Sequence, residues 1–128
     1  MAYAPVFVVQ KHDARNLHYD FRLEVAGVLK SWAVPKGISM NPEEKRLAIA
    51  TEDHVLSYAG FEGTIPEGQY GAGKVEIWDK GTYESKEPIE ASLEKGRAEF
   101  LLKGKKLKGL FALIRTKIGW LLFKKADD

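Results

Sequence analysis

The chain has 128 residues, a formal net charge of +2, 45% hydrophobic and 30% charged side chains, and no cysteine. That size suits a single domain, residues 1–128, around one core, and the absent cysteines exclude disulfides and thiolate metal sites and fit a reducing, cytoplasmic setting. No apolar run approaches the ~20 residues that span a bilayer, and the start MAYAPVFVVQK lacks the charged and apolar regions of a secretory signal, so no membrane partner is expected.

In chain order, Leu17 to Leu23 alternates most clearly. Leu17, Tyr19, Phe21 and Leu23 face one way and His18, Asp20, Arg22 and Glu24 the other, which is the period of a strand. Ala26-Gly27 reads as a hairpin turn into a strand over Val28–Val34, ended by Pro35 and Gly37. Asn41-Pro42-Glu43-Glu44 predicts a capped helical turn, with Asn41 at the cap and Pro42 first inside. A strand follows over Arg46–Thr51. Residues 57–73 are rich in Gly and Pro and predict a long functional or packing loop. Asp79-Lys80-Gly81 predicts a hairpin between Val75–Trp78 and Thr82–Ser85, and Pro88–Lys95 a short helix stopped by Gly96. Three strands close the chain: Ala98–Lys103, Leu107–Arg115 and Trp120–Lys124. The expected fold is mainly β: a small closed or nearly closed antiparallel β-barrel of about seven or eight strands with one or two short helices.

Charge is uneven. Residues 1–85 carry 9 basic and 12 acidic side chains, and residues 86–128 carry 11 and 6. Between Lys103 and Lys117 there are six basic residues, Lys105, Lys106 and Lys108 among them, and no acid. A basic lobe suits a polyanion, although a solvated strand face is the simpler explanation from charge alone.

His18 and Asp20 leave one face of a strand roughly 6.5–7 Å apart, so both can reach one cation. Arg15-Asn16 forms a plausible turn that returns His12 to them. Two imidazoles and a carboxylate suit Mn²⁺, Zn²⁺ or Fe²⁺, and Arg22 on the same face could hold an anionic oxygen. An amphipathic strand with a charged outer face is the competing explanation. His54, after Glu52-Asp53 and four residues before Tyr58, reads as a surface histidine or as an imidazole that binds phosphate or transfers a proton. Gly68-Gln69-Tyr70-Gly71-Ala72-Gly73-Lys74 approaches a phosphate-binding loop, but Val75 stands where Ser or Thr would hold Mg²⁺, and a strand follows where a helix is needed. His18, Asp20 and His54 also fit the ligand triad of Fe(II) oxygenases. Those enzymes use a basic residue soon after the distal histidine, and here the next are Lys74 and Arg97.

Taken together, QKHDARNLHYDFRLEVAGVLKSWAVPKG and KRLAIATEDHVLSYAGFEGTIPEGQYGAGKVEIWDKGTYE resemble the 3′-phosphoesterase domain of bacterial DNA ligase D, in its stand-alone form. The match is close over residues 7–85, and GKKLKGLFALIRT and GWLLFKK are similar to the family's last strands. The resemblance implies a Mn²⁺-dependent enzyme of DNA repair, with Co²⁺ or Zn²⁺ as other ions that bind. It would remove a 3′-terminal ribonucleoside, leaving a 3′-phosphate, and then remove that phosphate to give a 3′-OH. His12, His18 and Asp20 would be metal ligands. Arg22 and Arg46 would grip the scissile phosphate, His54 would contact it and protonate the leaving oxygen, and Tyr58 would donate to a phosphate oxygen. Gln10 and Glu52 would support the pocket. Partners would be nucleic acid 3′ ends, together with a separate ligase and polymerase. Ligase D domains carry a charged arm before the first motif histidine that assists the diesterase step. Eleven residues precede His12 here, so the monoesterase step is the firmer expectation. A non-catalytic nucleic-acid-binding barrel, using the basic C-terminal third, is the main alternative. Its affinity would need no metal and would fall steeply with salt. An Fe(II) oxygenase, which would need oxygen and a reductant, is the other.

Overall fold

A computed structural model describes residues 3–126. Nine strands are present among them: β1 (Val6–Asp13), β2 (Leu17–Val25), β3 (Val28–Val34), β4 (Arg46–Val55), β5 (Gly63–Ile65), β6 (Gly73–Glu84), β7 (Arg97–Lys103), β8 (Lys108–Thr116) and β9 (Gly119–Lys124). Helix α1 (Ile89–Lys95) and a 3-10 turn (Leu56–Gly60) complete the fold. All pairings are antiparallel, in the order β1-β2-β3-β4-β9-β8-β7-β6, and β1 also pairs with β6. The eight strands therefore close into a barrel with no open edge to protect, as expected from the sequence. β5 adds to the β7-side edge of β6, at its other end.

The inward residues of the ring fill the lumen. Phe7, Phe21, Leu23, Phe100, Phe111 and Leu122 are fully buried there, and Phe21 stacks on Phe100 with ring centroids 5.9 Å apart. Full burial of each such ring contributes roughly 2–3 kcal/mol. A second, smaller cluster lies outside the barrel wall. The 3-10 turn lays Leu56, Tyr58 and Ala59 over the outer face of β1 and β3, against Val8 and Leu29. This cover explains why β2 is buried on both faces from Asp20 to Val25.

Three local expectations are corrected. The Asp79-Lys80-Gly81 hairpin does not form, because β6 runs unbroken through it. Asp79 turns its buried carboxylate to the neighbouring loop and accepts the backbone N–H of Lys80, Lys105, Lys106 and Leu107 at 2.8–3.2 Å. Gly81 is needed for a different reason than a turn: a Cβ there would stand 2.1 Å from the Lys103 carbonyl oxygen. The 41–44 segment is a turn and not helical, with the Asn41 side chain accepting the Glu43 N–H at 3.0 Å. Finally, residues 57–73 are not one loop, since most of the 3-10 turn and all of β5 lie within them. Helix α1 does end at Gly96, which takes the left-handed conformation at φ 82°. Among the described residues no helix is long and apolar enough to cross a membrane.

Candidate metal centre

The site is built on the outer face of β1 and β2. Antiparallel register places His12 opposite His18 and Gln10 opposite Asp20, and the two-residue period brings Arg22 onto the same face. Short side chains would leave that face bare, but the 3-10 turn and the 66–72 loop cover it, so His12, Asp20, Arg22 and Gln10 are all buried.

Three ligand atoms converge. Asp20 Oδ2 lies 3.6 Å from His12 Nδ1 and 3.3 Å from His18 Nε2, and one atom from each residue falls within 4.8 Å of the others. Each imidazole is held from behind by a backbone carbonyl. His12 Nε2 is 2.7 Å from the Gly71 oxygen, and His18 Nδ1 is 2.9 Å from the Asn16 oxygen. A carbonyl only accepts, so each of these nitrogens carries a proton; with a cation bound the other nitrogen would turn its lone pair inward, whereas in the metal-free site His18 Nε2 carries a second proton toward Asp20 when the ring is charged. The donor set is thus two imidazole nitrogens and one carboxylate oxygen on one side of a centre. It suits a divalent ion with coordination positions left open.

Arg22 closes the next row. Its Nη2 is 3.5 Å from Asp20 Oδ2, its Nε donates to Gln10 Oε1 at 2.7 Å and its Nη1 to Ser31 Oγ at 2.8 Å. Gln10, fully buried, in turn donates to the carbonyls of Tyr58 at 2.9 Å and Phe61 at 3.1 Å. One amide therefore fixes both the guanidinium and the turn that carries Tyr58. The Tyr58 ring lies 5.0 Å from the Arg22 guanidinium and 4.6 Å from the His54 ring.

His54 reaches this face through a bulge. Ser31 pairs with Thr51, whereas Leu29 pairs with His54, so three residues of β4 span two of β3. The extra residue reverses the alternation and turns His54 to the side of Arg22.

The electrostatics follow from burial and neighbours. Burial raises the Asp20 carboxyl, but the His18 hydrogen bond and the Arg22 charge outweigh it and hold the group below the ordinary carboxylate range. The hydrogen bond to Asp20 lifts His18 above the usual imidazole value. Burial, then the Arg22 charge, pushes His54 down. Burial raises Tyr58 and lowers Arg22, whose guanidinium stays cationic at neutral pH.

His12, His18, Asp20, Arg22, Gln10, His54 and Tyr58 are thus brought together. Two residues stand apart. Glu52 is exposed and acts on His54 through its charge alone. Arg46 lies at the end of the barrel, where it donates to the Lys36 carbonyl at 2.5 Å and sits 3.6 Å from Glu44. Two participants were not singled out from the sequence: Ser31, and the carbonyl of Gly71. A small polar residue on the same strand face as Leu29 was a sign for the first. A backbone carbonyl leaves no sign in composition.

A family model described as the DNA ligase D 3′-phosphoesterase domain matches residues 10–115. The chain belongs to this family. It is 53% identical over 126 residues to the multifunctional non-homologous end joining protein LigD of Pseudomonas aeruginosa, covering 94% of this chain and 15% of that protein. It is 56% identical over 110 residues to the multifunctional non-homologous end joining DNA repair protein LigD of Mycobacterium tuberculosis, covering 86% and 14%. With the Mycolicibacterium smegmatis LigD it shares 46% over 129 residues, covering 95% and 17%. The chain therefore spans about one-sixth or less of these relatives' length. The match includes every residue of the cluster from Gln10 to Tyr58.

Proposed function

We propose that this chain is a Mn²⁺-dependent 3′-end phosphoesterase that opens a 3′-ribonucleoside diester and removes the resulting 3′-phosphate, leaving a 3′-OH for end joining. The observation that carries the reading is the inward convergence of His12 Nδ1, His18 Nε2 and Asp20 Oδ2, with Arg22 beside them. His12, His18 and Asp20 would hold the ion, and Co²⁺ or Zn²⁺ suits the same donors. A divalent ion held there would neutralise phosphate oxygens and lower the pKa of a water. Arg22 presents a fork, pre-positioned by Gln10 and Ser31, to the charge that develops on the phosphoryl oxygens. Tyr58 donates its O–H to one of those oxygens. His54 supplies a proton to the leaving oxygen; burial and, after it, the Arg22 charge depress its pKa, and an arriving phosphate offsets the second of these. Gln10 and Glu52 act through their neighbours. Arg46 is held by Lys36 and Glu44, and its part as a second phosphate grip rests on the resemblance alone. The reading places the chain in the cytoplasm, at DNA ends shared with a ligase and a polymerase.

The test uses a 5′-labelled primer on a longer template, ending in one 3′-ribonucleotide, with Mn²⁺ and with EDTA. The reading expects loss of the terminal nucleoside to a 3′-phosphate and then a 3′-OH, only with metal. Removal of a pre-made 3′-phosphate without shortening of the ribonucleotide end would limit the chain to the monoesterase step. No reaction on either end would leave a binding-only barrel.

A further inference from the structure

The segment Ile65-Pro66-Glu67-Gly68-Gln69-Tyr70-Gly71-Ala72-Gly73 contributes one group to the site, the Gly71 carbonyl that orients His12. Tyr70, exposed in the same segment, has no part in that task. The loop leaves and returns at one β pair, Ile65 opposite Gly73. Two successive turns shape it, with the Gln69 N–H on the Pro66 oxygen at 3.3 Å and the Ala72 N–H on the Gln69 oxygen at 3.1 Å. Gly68 and Gly71 supply the positive φ these turns need, at 86° and 76°. Gly73 seats the loop's end against β1, since a Cβ there would lie 2.3 Å from the Asp13 carbonyl oxygen. Tyr70 is thus held on a pinned tip, and its side chain is 98% exposed.

A ring this bare, on a defined turn, touches none of the protein's own apolar surface. Its position gives it a use. Tyr70 precedes the residue whose oxygen lies 2.7 Å from His12 Nε2. Its Cα is therefore on the order of 8 Å from that imidazole, since successive Cα atoms are 3.8 Å apart. Because the Gly71 oxygen meets the Nε2 edge of His12 while Nδ1 faces Asp20, Tyr70 stands across the imidazole from the ligand atoms, where a phenol extended over that ring would meet the base of a nucleotide whose 3′-phosphate sits at the centre.

We propose that Tyr70 is a stacking platform for the nucleobase of the nucleotide that carries the scissile 3′-phosphate. The inference rests on the phosphoesterase reading and adds to it the feature that separates a strand end from free phosphate. Stacking tolerates any base, because every base has a π face, so this grip selects a nucleic acid end without selecting sequence.

The test compares wild type, Tyr70→Ala and Tyr70→Phe on a 3′-phosphorylated oligonucleotide and on the same strand with an abasic 3′-terminal nucleotide. Loss of one stacked base predicts a KM raised about 5- to 150-fold for Tyr70→Ala on the complete strand. kcat should stay within about twofold, and Tyr70→Phe should match wild type, because the face of the ring carries the contact. On the abasic strand all three should share one raised KM. Equal losses on both strands, or no loss on either, would overturn the proposal. A fluorescent adenine analogue at the 3′ terminus gives a second readout, taken in EDTA with no turnover. Quenching by wild type and Tyr70→Phe but not Tyr70→Ala supports stacking even if neither strand is hydrolysed, in which case only the phosphoesterase reading fails. No quenching by wild type overturns stacking whatever the turnover.

Discussion

Gln10→Glu changes one group of nearly constant size at the point where the site is tied to the fold. The native amide is fully buried, donates to the Tyr58 and Phe61 carbonyls and accepts from Arg22 Nε. A carboxylate keeps the last bond and strengthens it, but it loses both donors and turns an anionic oxygen toward two carbonyls. Each buried carbonyl left short of a donor costs about 1–3 kcal/mol, and the charge-assisted bond to Arg22 returns about 1 kcal/mol. The expected net loss is about 1–5 kcal/mol, read as a lower urea midpoint at unchanged slope. Turnover should fall as well, because the new carboxylate competes with substrate phosphate for Arg22 and releases the turn that carries Tyr58. Metal affinity should change less, since His12, His18 and Asp20 keep their own partners. A variant within about 0.5 kcal/mol of wild type, with wild-type turnover, would refute the claim that this amide joins the site to the fold.

Arg22→Lys should lower turnover by about 100-fold or more, because an ammonium cannot reproduce the fork fixed by Gln10 and Ser31; steady-state kinetics on a 3′-phosphate end checks this, and an unchanged rate would reduce Arg22 to a structural cation. In metal-free protein, ring NMR titration should find His18 titrating above and His54 below the ordinary value of about 6.5. The His18 contribution to stability is then full below pH ~6.5 and fades as pH rises through its raised folded value, whereas His54 favours the fold above ~6.5 and disfavours it as pH falls; reversed titration orders would contradict the burial argument. Lys105→Ala with Lys106→Ala should weaken strand binding and lower the salt slope by about 2, with kcat on a short 3′-phosphate strand unchanged; an inactive double variant with intact binding would contradict this.

The strand β2 was legible because it alternates cleanly, and with it came His18, Asp20 and Arg22 on one face. Barrel closure was anticipated only in general terms. The pairing of β1 with β6 joins residues about seventy positions apart, and Val6–Val9 is an apolar run with no alternation to show which face is inward. The false hairpin at Asp79-Lys80-Gly81 had proper turn composition, but Asp79 spends its carboxylate on the N–H groups of a loop distant in sequence. His54 was marked in the sequence as a phosphate-binding or proton-transferring imidazole, but its direction was not legible, because that depends on a bulge in β4. Arg46 shows the opposite limit: a family pattern marked it, and its contacts here are with Lys36 and Glu44.

The most direct test of the central claim follows Mn²⁺ binding and phosphate release together, in wild type and Asp20→Asn, on a 3′-phosphorylated strand. The account predicts one tightly bound Mn²⁺ in wild type by its electron paramagnetic resonance signal, phosphate release that rises with its occupancy, and loss of both in Asp20→Asn while the fold is kept. Asp20→Asn that releases phosphate at the wild-type rate, or wild type that does so in EDTA, would contradict it.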